Sequence, residues 1–139
     1  MNRAWHRLDP WPDAVDGLTR LKKKYVIATL SNGNVSLLTN MAKYAKLPWD
    51  CILSAELVKR YKPDPNVYMM AADLLGLQPQ QVMMVAAHVG DLKAAAASGL
   101  RTAFVHRPLE HGAGRAASRV DTSGFDAVAS NFVDLARKV

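Results

Sequence analysis

The stretch Val82-Met83-Met84-Val85-Ala86-Ala87-His88-Val89-Gly90-Asp91 passes from an apolar run to a glycine and an aspartate. Residues 82–87 form the most apolar strand candidate in the sequence, and such a short run is typical of a strand that is buried on both faces. An alanine-rich helix is predicted to begin near Asp91 and to end at Gly99. The stretch therefore predicts a strand whose carboxyl end leads directly into a helix.

The alternation of strand and helix continues in both directions from this stretch. Further strands are predicted at residues 25–30, 51–54, 101–105 and 126–129, and further helices at residues 12–23, 34–46, 64–75 and 131–137. This order predicts an α/β fold, a three-layer Rossmann-like parallel sheet with helices on both faces. Ligands of such sheets bind beyond the carboxyl ends of the strands. The loops to examine are therefore residues 31–34, the loop that holds Lys62, and residues 87–91.

Length and composition predict one compact domain and exclude several classes of protein. The chain has 139 residues, of which 50% are hydrophobic, and its net charge of +6 favours an anionic partner. The basic residues form no stripe interleaved with aromatic ones, so no nucleic-acid partner is predicted. The single cysteine, Cys51, excludes an internal disulfide, and we expect a buried, inert thiol in a cytoplasmic protein. No apolar run is long enough for a membrane span, and the N-terminus has no signal-peptide core.

Polar side chains follow the predicted strand at residues 25–30. Ser31 and Asn32 stand where that strand ends, and Asn34 is a good N-cap for the next helix. Their side chains and the neighbouring backbone N–H groups are suited to bind an anion. Turn formation explains the same residues equally well.

Lys62 and Tyr68 lie in and after the second of these loops. Pro63 keeps Lys62 extended, and Asp64 with Pro65 predicts the start of a helix. An ammonium group held at the mouth of the sheet can lie beside a carboxylate or a phosphate, although a surface lysine is the commoner case. The Tyr68 hydroxyl points either at the site or at solvent, and packing in the core is its more common role.

The third loop holds His88 and Asp91. Asp91 follows Gly90 near the positive end of a helix dipole, where a carboxylate is stabilised. Its functional interpretation competes with simple capping of the helix. His88 is either a proton shuttle or an ordinary loop histidine.

Taken together, the three loops resemble the second, third and fourth motifs of the haloacid dehalogenase superfamily. The matching segments are Leu30-Ser31-Asn32-Gly33, then Tyr61-Lys62-Pro63-Asp64-Pro65 with Tyr68, then the segment from Val85 to Leu92 before an alanine-rich helix. The resemblance is greatest to the type II 2-haloacid dehalogenases, and it includes residues 5–8 and 101–108. It implies a hydrolase core that acts on a small anionic substrate, the carboxylate of a 2-haloacid.

The resemblance also implies roles for individual residues. Ser31 and Asn32 would bind the substrate carboxylate, and Lys62 would neutralise clustered negative charge. Asp91 would pair with Lys62 and help to position the hydrolytic water, while Tyr68 would contribute from the rim of the site. His88 departs from the pattern, since many dehalogenases have asparagine at this position.

The fourth motif favours dehalogenation over phosphoryl transfer. Magnesium-dependent phosphatases of this superfamily usually read G-D-x-x-x-D there, and the first aspartate of that motif aligns with Ala87. A hard octahedral cation would lose a ligand. We therefore predict no metal and no cofactor, with Mg²⁺ required only if the chain belongs to a phosphatase. A non-catalytic module that binds an anion or a partner is the third alternative.

Family members carry a nucleophilic aspartate in a D-x-x-G-T motif on the first strand, followed by a helical cap, and neither is found in the 139 residues. We therefore expect residues 1–139 to form a partial core domain, incomplete at its N-terminus and inactive alone. The absent strand would lie between those at residues 25–30 and 82–87. We predict that these two strands pair directly, or that a second chain fills the gap in a homodimer.

Overall fold

The computed structural model describes residues 9–107 and 121–139. The elements in chain order are α1 (Ala14–Lys22), β1 (Ala28–Ser31), α2 (Val35–Ala45), β2 (Cys51–Ser54), α3 (Pro65–Leu75), β3 (Met83–Ala86), α4 (Val89–Ala97), β4 (Arg101–Val105), β5 (Ala127–Ala129) and α5 (Phe132–Lys138). Two short 3-10 helices, Ala55–Val58 and Pro79–Gln81, precede α3 and β3. The predicted α/β class is confirmed, and every strand pair in the described residues is parallel.

The strands of the described residues form two separate sheets. β1 pairs with β2, and the second sheet has the order β3–β4–β5. The expected direct pairing of the strands now seen as β1 and β3 was therefore wrong. Leu30 of β1 and Met84 of β3 both pack against a buried cluster that contains Tyr68. The two strands are thus joined through the side chains of α3 and α4 and not by backbone hydrogen bonds.

Helices cover both faces of the larger sheet. On one face, α1 and α5 pack against each other and bury an apolar cluster with β4 and β5. Its buried members are Leu18, Leu21, Ile27, Ala103, Val105, Ala129, Leu135 and Ala136. On the other face, α3 and α4 bury Tyr68, Ala95 and Leu100. Because side chains alternate along a strand, Met83 and Val85 contact the first cluster while Met84 contacts the second.

The first strand begins later than the sequence predicts. It was expected from residue 25 but begins at Ala28, and the preceding residues Tyr25 and Val26 are exposed. The N–H of Ile27 is bound instead by the carboxylate of Asp50, at 2.8 Å, so the chain enters β1 through a side-chain contact.

The expected burial of Cys51 is only partial, since this residue is half-buried at the start of β2.

No helix within residues 9–107 and 121–139 has the length and apolar character that a membrane crossing needs. Residues 5–8 and residue 108, which were part of the resemblance, lie outside the described residues.

Candidate active site

Side-chain hydrogen bonds determine the conformation of the loop after β1. Ser31 is the last residue of the strand, and its Oγ accepts a 3.0 Å hydrogen bond from the N–H of Gly33. The predicted N-cap at Asn34 is confirmed, because its Oδ1 accepts a 2.7 Å bond from the N–H of Leu37. We call residues 31–34 the strand-end loop.

Asn32 connects the strand-end loop to the loop that carries the lysine. Its Oδ1 accepts a hydrogen bond from the backbone N–H of Lys62, at 2.7 Å across 30 positions of sequence. With that oxygen occupied, the side-chain N–H donors of Asn32 have no recorded partner in the described part of the chain. The arrangement therefore leaves hydrogen-bond donors next to the lysine.

Helix α3 begins as the sequence predicts, directly after the lysine loop, and carries Tyr68. Asp64 caps the helix, because its Oδ1 accepts a 2.9 Å bond from the N–H of Asn66, and Pro65 is its first residue. Tyr68 follows within the first turns and its side chain is fully buried. Packing in the core, the more common role of such a tyrosine, is confirmed, because the ring lies in the buried cluster with Ala95 and Leu100 and not at the rim that the resemblance implied.

Asp91 is the centre of the site. Its Oδ2 lies 2.9 Å from Nζ of Lys62, and its Oδ1 accepts a 2.7 Å bond from the hydroxyl of Tyr68. The two side chains of the ion pair are only 15% and 18% exposed, so solvent screens the pair less than a surface pair. The pairing of Lys62 with Asp91 that the resemblance implied is present. The carboxylate contacts residues outside its helix with both oxygens, so capping of α4 does not explain it.

The buried phenol is held in its protonated form. Burial raises the pKa of the Tyr68 hydroxyl well above its ordinary value, and the hydrogen bond and negative charge of Asp91 raise it further. Tyr68 therefore acts as a hydrogen-bond donor to Asp91 and not as a base.

His88 stands immediately before α4, where the helix begins at Val89. It is exposed, and its side chain does not cap the helix. Its proposed role as a proton shuttle stays a prediction.

In the described residues, no group of three or more His, Cys, Asp or Glu side chains lies together in a way that would hold a metal ion. The site instead offers the Lys62 ammonium group, which the Asp91 carboxylate holds, and the side-chain amide donors of Asn32 on the loop that is bonded to Lys62. Such a site is suited to orient a small anion beside the Lys62 ammonium group, which the Asp91 carboxylate keeps in a fixed position.

The sequence interpretation missed Ser54, the last residue of β2. Ser54 is fully buried, and its Oγ donates a 2.6 Å hydrogen bond to the carbonyl oxygen of Gly33 in the strand-end loop. The available signal was positional, since Ser54 ends its strand in register with Ser31.

Comparison with known proteins gives a consistent result. A family model described as haloacid dehalogenase-like hydrolase matches residues 1–99. The (S)-2-haloacid dehalogenase 4A of Burkholderia cepacia is 40% identical over 107 residues, which are 75% of this chain and 46% of that protein. The chain thus spans about half the length of the curated relatives that it matches.

Two solved structures show the same fold. The L-2-haloacid dehalogenase PA0810 superposes with a TM-score of 0.93 at 51% identity, over 98% of this chain and 58% of that chain. The L-2-haloacid dehalogenase of Xanthobacter autotrophicus with chloropropionic acid covalently bound has a TM-score of 0.83 at 28% identity, over 97% of this chain and 62% of that chain.

Proposed function

Because the chain belongs to the haloacid dehalogenase-like hydrolase family, we propose that it supplies the anion-binding and lysine side of a site that hydrolyses 2-haloacids. The observation that carries the proposal is the Asp91 carboxylate, which bonds to both Lys62 and Tyr68, while Asn32 of the strand-end loop bonds to the backbone of Lys62. The similarity to a dehalogenase with chloropropionic acid covalently bound supports the same substrate class.

The proposed reaction has two steps. An aspartate carboxylate attacks the carbon that bears the halogen, a C–O bond forms, and the halide leaves with the electron pair of the C–halogen bond. Water then attacks the carbonyl of the resulting ester, which releases the 2-hydroxy acid and regenerates the aspartate. The 139 residues contain no D-x-x-G-T motif. The proposed reaction therefore needs a protein that supplies the nucleophilic aspartate together with these residues. The expected inactivity of residues 1–139 alone stays a prediction.

The residues of this chain have separate roles in the proposal. Ser31 and Asn32 bind the substrate carboxylate through their remaining hydrogen-bond donors. Lys62 offsets the negative charge that collects when an anionic substrate approaches a carboxylate nucleophile. Asp91 holds the ammonium group in place and helps to position the attacking water, while the Tyr68 hydroxyl holds the Asp91 carboxylate.

We propose that no metal takes part. Ala87 stands where a phosphatase of this superfamily would place a second carboxylate, and an alanine offers no ligand to a cation. A cytoplasmic location and a homodimer also stay predictions.

The experiment uses the product of the complete open reading frame that encodes this chain. We expect halide release from L-2-chloropropionate in the presence of a chelator, and loss of that release in Lys62→Met. Lys43→Met, at an exposed position of α2, is the matched control and is expected to keep full activity. A strict requirement for Mg²⁺, or phosphate release without halide release, would overturn the proposal in favour of a phosphatase.

A further inference from the structure

A fully buried serine connects the carboxyl ends of β1 and β2. Ser54 ends β2 in register with Ser31, and its side chain has no exposed surface. Its Oγ donates to the carbonyl oxygen of Gly33 at 2.6 Å and accepts from the N–H of Glu56 at 3.1 Å. The buried hydroxyl is therefore bonded both to the strand-end loop and to the start of the 3-10 helix Ala55–Val58.

The contact with Gly33 determines the orientation of one peptide group. A trans peptide is planar, so its C=O and N–H point in opposite directions. Because Ser54 binds the carbonyl of Gly33, the N–H of Asn34 in the same peptide is turned away from Ser54. Rotation of this peptide would break a buried hydrogen bond and leave a carbonyl unsatisfied, which is unfavourable.

We propose that Ser54 is a positioning residue for substrate binding, which sets the strand-end loop so that its N–H groups and the Asn32 side chain receive a carboxylate. The inference rests on the proposed function, because it assumes that this loop binds the carboxylate of the substrate. Ser54 acts through the loop and does not touch the substrate. Because Asn32 also bonds to the N–H of Lys62, the conformation of the strand-end loop also affects the position of the Lys62 backbone.

Thr29 offers a matched control in the same pair of strands. Its Oγ1 donates to the carbonyl oxygen of Leu53 at 2.9 Å and accepts from the N–H of Leu53 at 3.0 Å. Thr29→Val thus removes a hydroxyl that links β1 to β2 but does not touch the strand-end loop. If Ser54 has only a structural role, Ser54→Ala and Thr29→Val should have the same effect on ligand binding and on the strand-end loop.

The test measures propionate binding to the 139-residue chain by amide chemical shifts, together with hydrogen exchange of the Gly33, Asn34 and Lys62 amides. In Ser54→Ala we expect an affinity about 3- to 10-fold weaker and faster exchange of these amides relative to the global rate. In Thr29→Val we expect neither change, even if the chain becomes less stable.

The outcomes separate this inference from the proposed function. Propionate binding and loop exchange in Ser54→Ala that match those of Thr29→Val would overturn the inference and leave the proposed function intact. If propionate shifts none of these amides in the unsubstituted chain, the proposed carboxylate site fails, and this inference fails with it.

Discussion

Tyr68 donates its hydroxyl to Asp91 over 2.7 Å from a side chain that has no exposed surface. The bond joins α3 to the first turn of α4 across 23 positions of sequence. Lys62 contacts the other oxygen of the same carboxylate at 2.9 Å. Asp91 is thus held from two sides, and removing either partner should change both stability and the proposed site.

Tyr68→Phe should lower the free energy of unfolding by about 1–2 kcal/mol, because a buried hydrogen bond to a carboxylate is lost while the ring packing stays. Urea unfolding at neutral pH measures the loss. Tyr44→Phe is the control, since Tyr44 is 51% exposed and its substitution should leave the unfolding midpoint unchanged. Equal midpoints for the two variants would contradict the role of Tyr68.

The raised pKa of Tyr68 predicts how this loss depends on pH. In the unfolded chain the phenol ionises near its ordinary value of about 10, whereas the folded state holds the proton to a higher pH. The stabilisation is therefore fully present below about pH 10 and declines as the pH rises towards the folded pKa. The difference in stability between the unsubstituted chain and Tyr68→Phe should stay constant up to about pH 10 and should be smaller at about pH 11. A constant difference would contradict the raised pKa.

Lys62→Met leaves the Asp91 carboxylate with Tyr68 as its remaining recorded partner in the described residues. Loss of one partner from a part-buried ion pair leaves the other charge unsatisfied, and we expect the free energy of unfolding to fall by about 1–3 kcal/mol at neutral pH. Lys22→Met tests the same chemistry at the surface, because the pair of Lys22 with Asp50 is 44% and 32% exposed. We expect a smaller loss there, as measured by urea unfolding. A loss at Lys22 as large as that at Lys62 would argue against a special environment at Asp91.

Local features of the sequence predicted the loops of the site well. Asn34 and Asp64 cap their helices as expected, because a cap bonds to an N–H only two or three residues ahead. The α/β class followed from the same alternation of local patterns. These predictions needed no knowledge of distant contacts.

The errors came from contacts between distant parts of the chain. The resemblance implied that Tyr68 lies at the rim, whereas its hydroxyl reaches Asp91 inside the protein because α3 packs against α4. Strand pairing is equally non-local. The predicted direct pairing of β1 with β3 was wrong, because the two strands lie in different sheets. Ser54 was missed because its partner is a backbone carbonyl 21 positions earlier, which no side-chain pattern reveals.

Asp13→Asn should weaken the contact between α1 and α5 in a pH-dependent way. Asp13 Oδ2 accepts 2.8 Å bonds from Nη2 of Arg107 and from the N–H of Phe132. Burial alone would raise the pKa of Asp13, but the hydrogen bonds from Arg107 and Phe132 outweigh it and hold the pKa below its ordinary value. The stabilisation is therefore complete above the unfolded pKa of about 4 and is lost as the pH falls through the folded pKa.

Urea unfolding should show Asp13→Asn about 1–2 kcal/mol less stable than the unsubstituted chain at pH 6, with a smaller difference near pH 3. Asp16→Asn is the control, because Asp16 is 58% exposed and should change the midpoint little at either pH. If the stability difference between Asp13→Asn and the unsubstituted chain instead grew towards low pH, the lowered pKa of Asp13 would be contradicted.

Gly17→Ala tests how closely α1 and α5 approach each other. A Cβ at Gly17 would lie 2.6 Å from the carbonyl carbon of Phe132 and 2.8 Å from the backbone nitrogen of Val133. Backbone atoms cannot move aside as a flexible side chain does, so the helices must separate. Overpacking of this kind destabilises by about 1–3 kcal/mol, against which the higher helix propensity of alanine returns at most about 1 kcal/mol.

Gly90→Ala is the matched control, because Gly90 also lies in a helix and a Cβ there would meet nothing within 4 Å. Thermal unfolding should therefore give a lower midpoint for Gly17→Ala and an equal or higher one for Gly90→Ala. Alanine favours the helix over glycine at both positions, so a loss of stability confined to Gly17→Ala reports on the contact with α5. A stabilised Gly17→Ala would mean that α1 and α5 lie further apart than the structure places them.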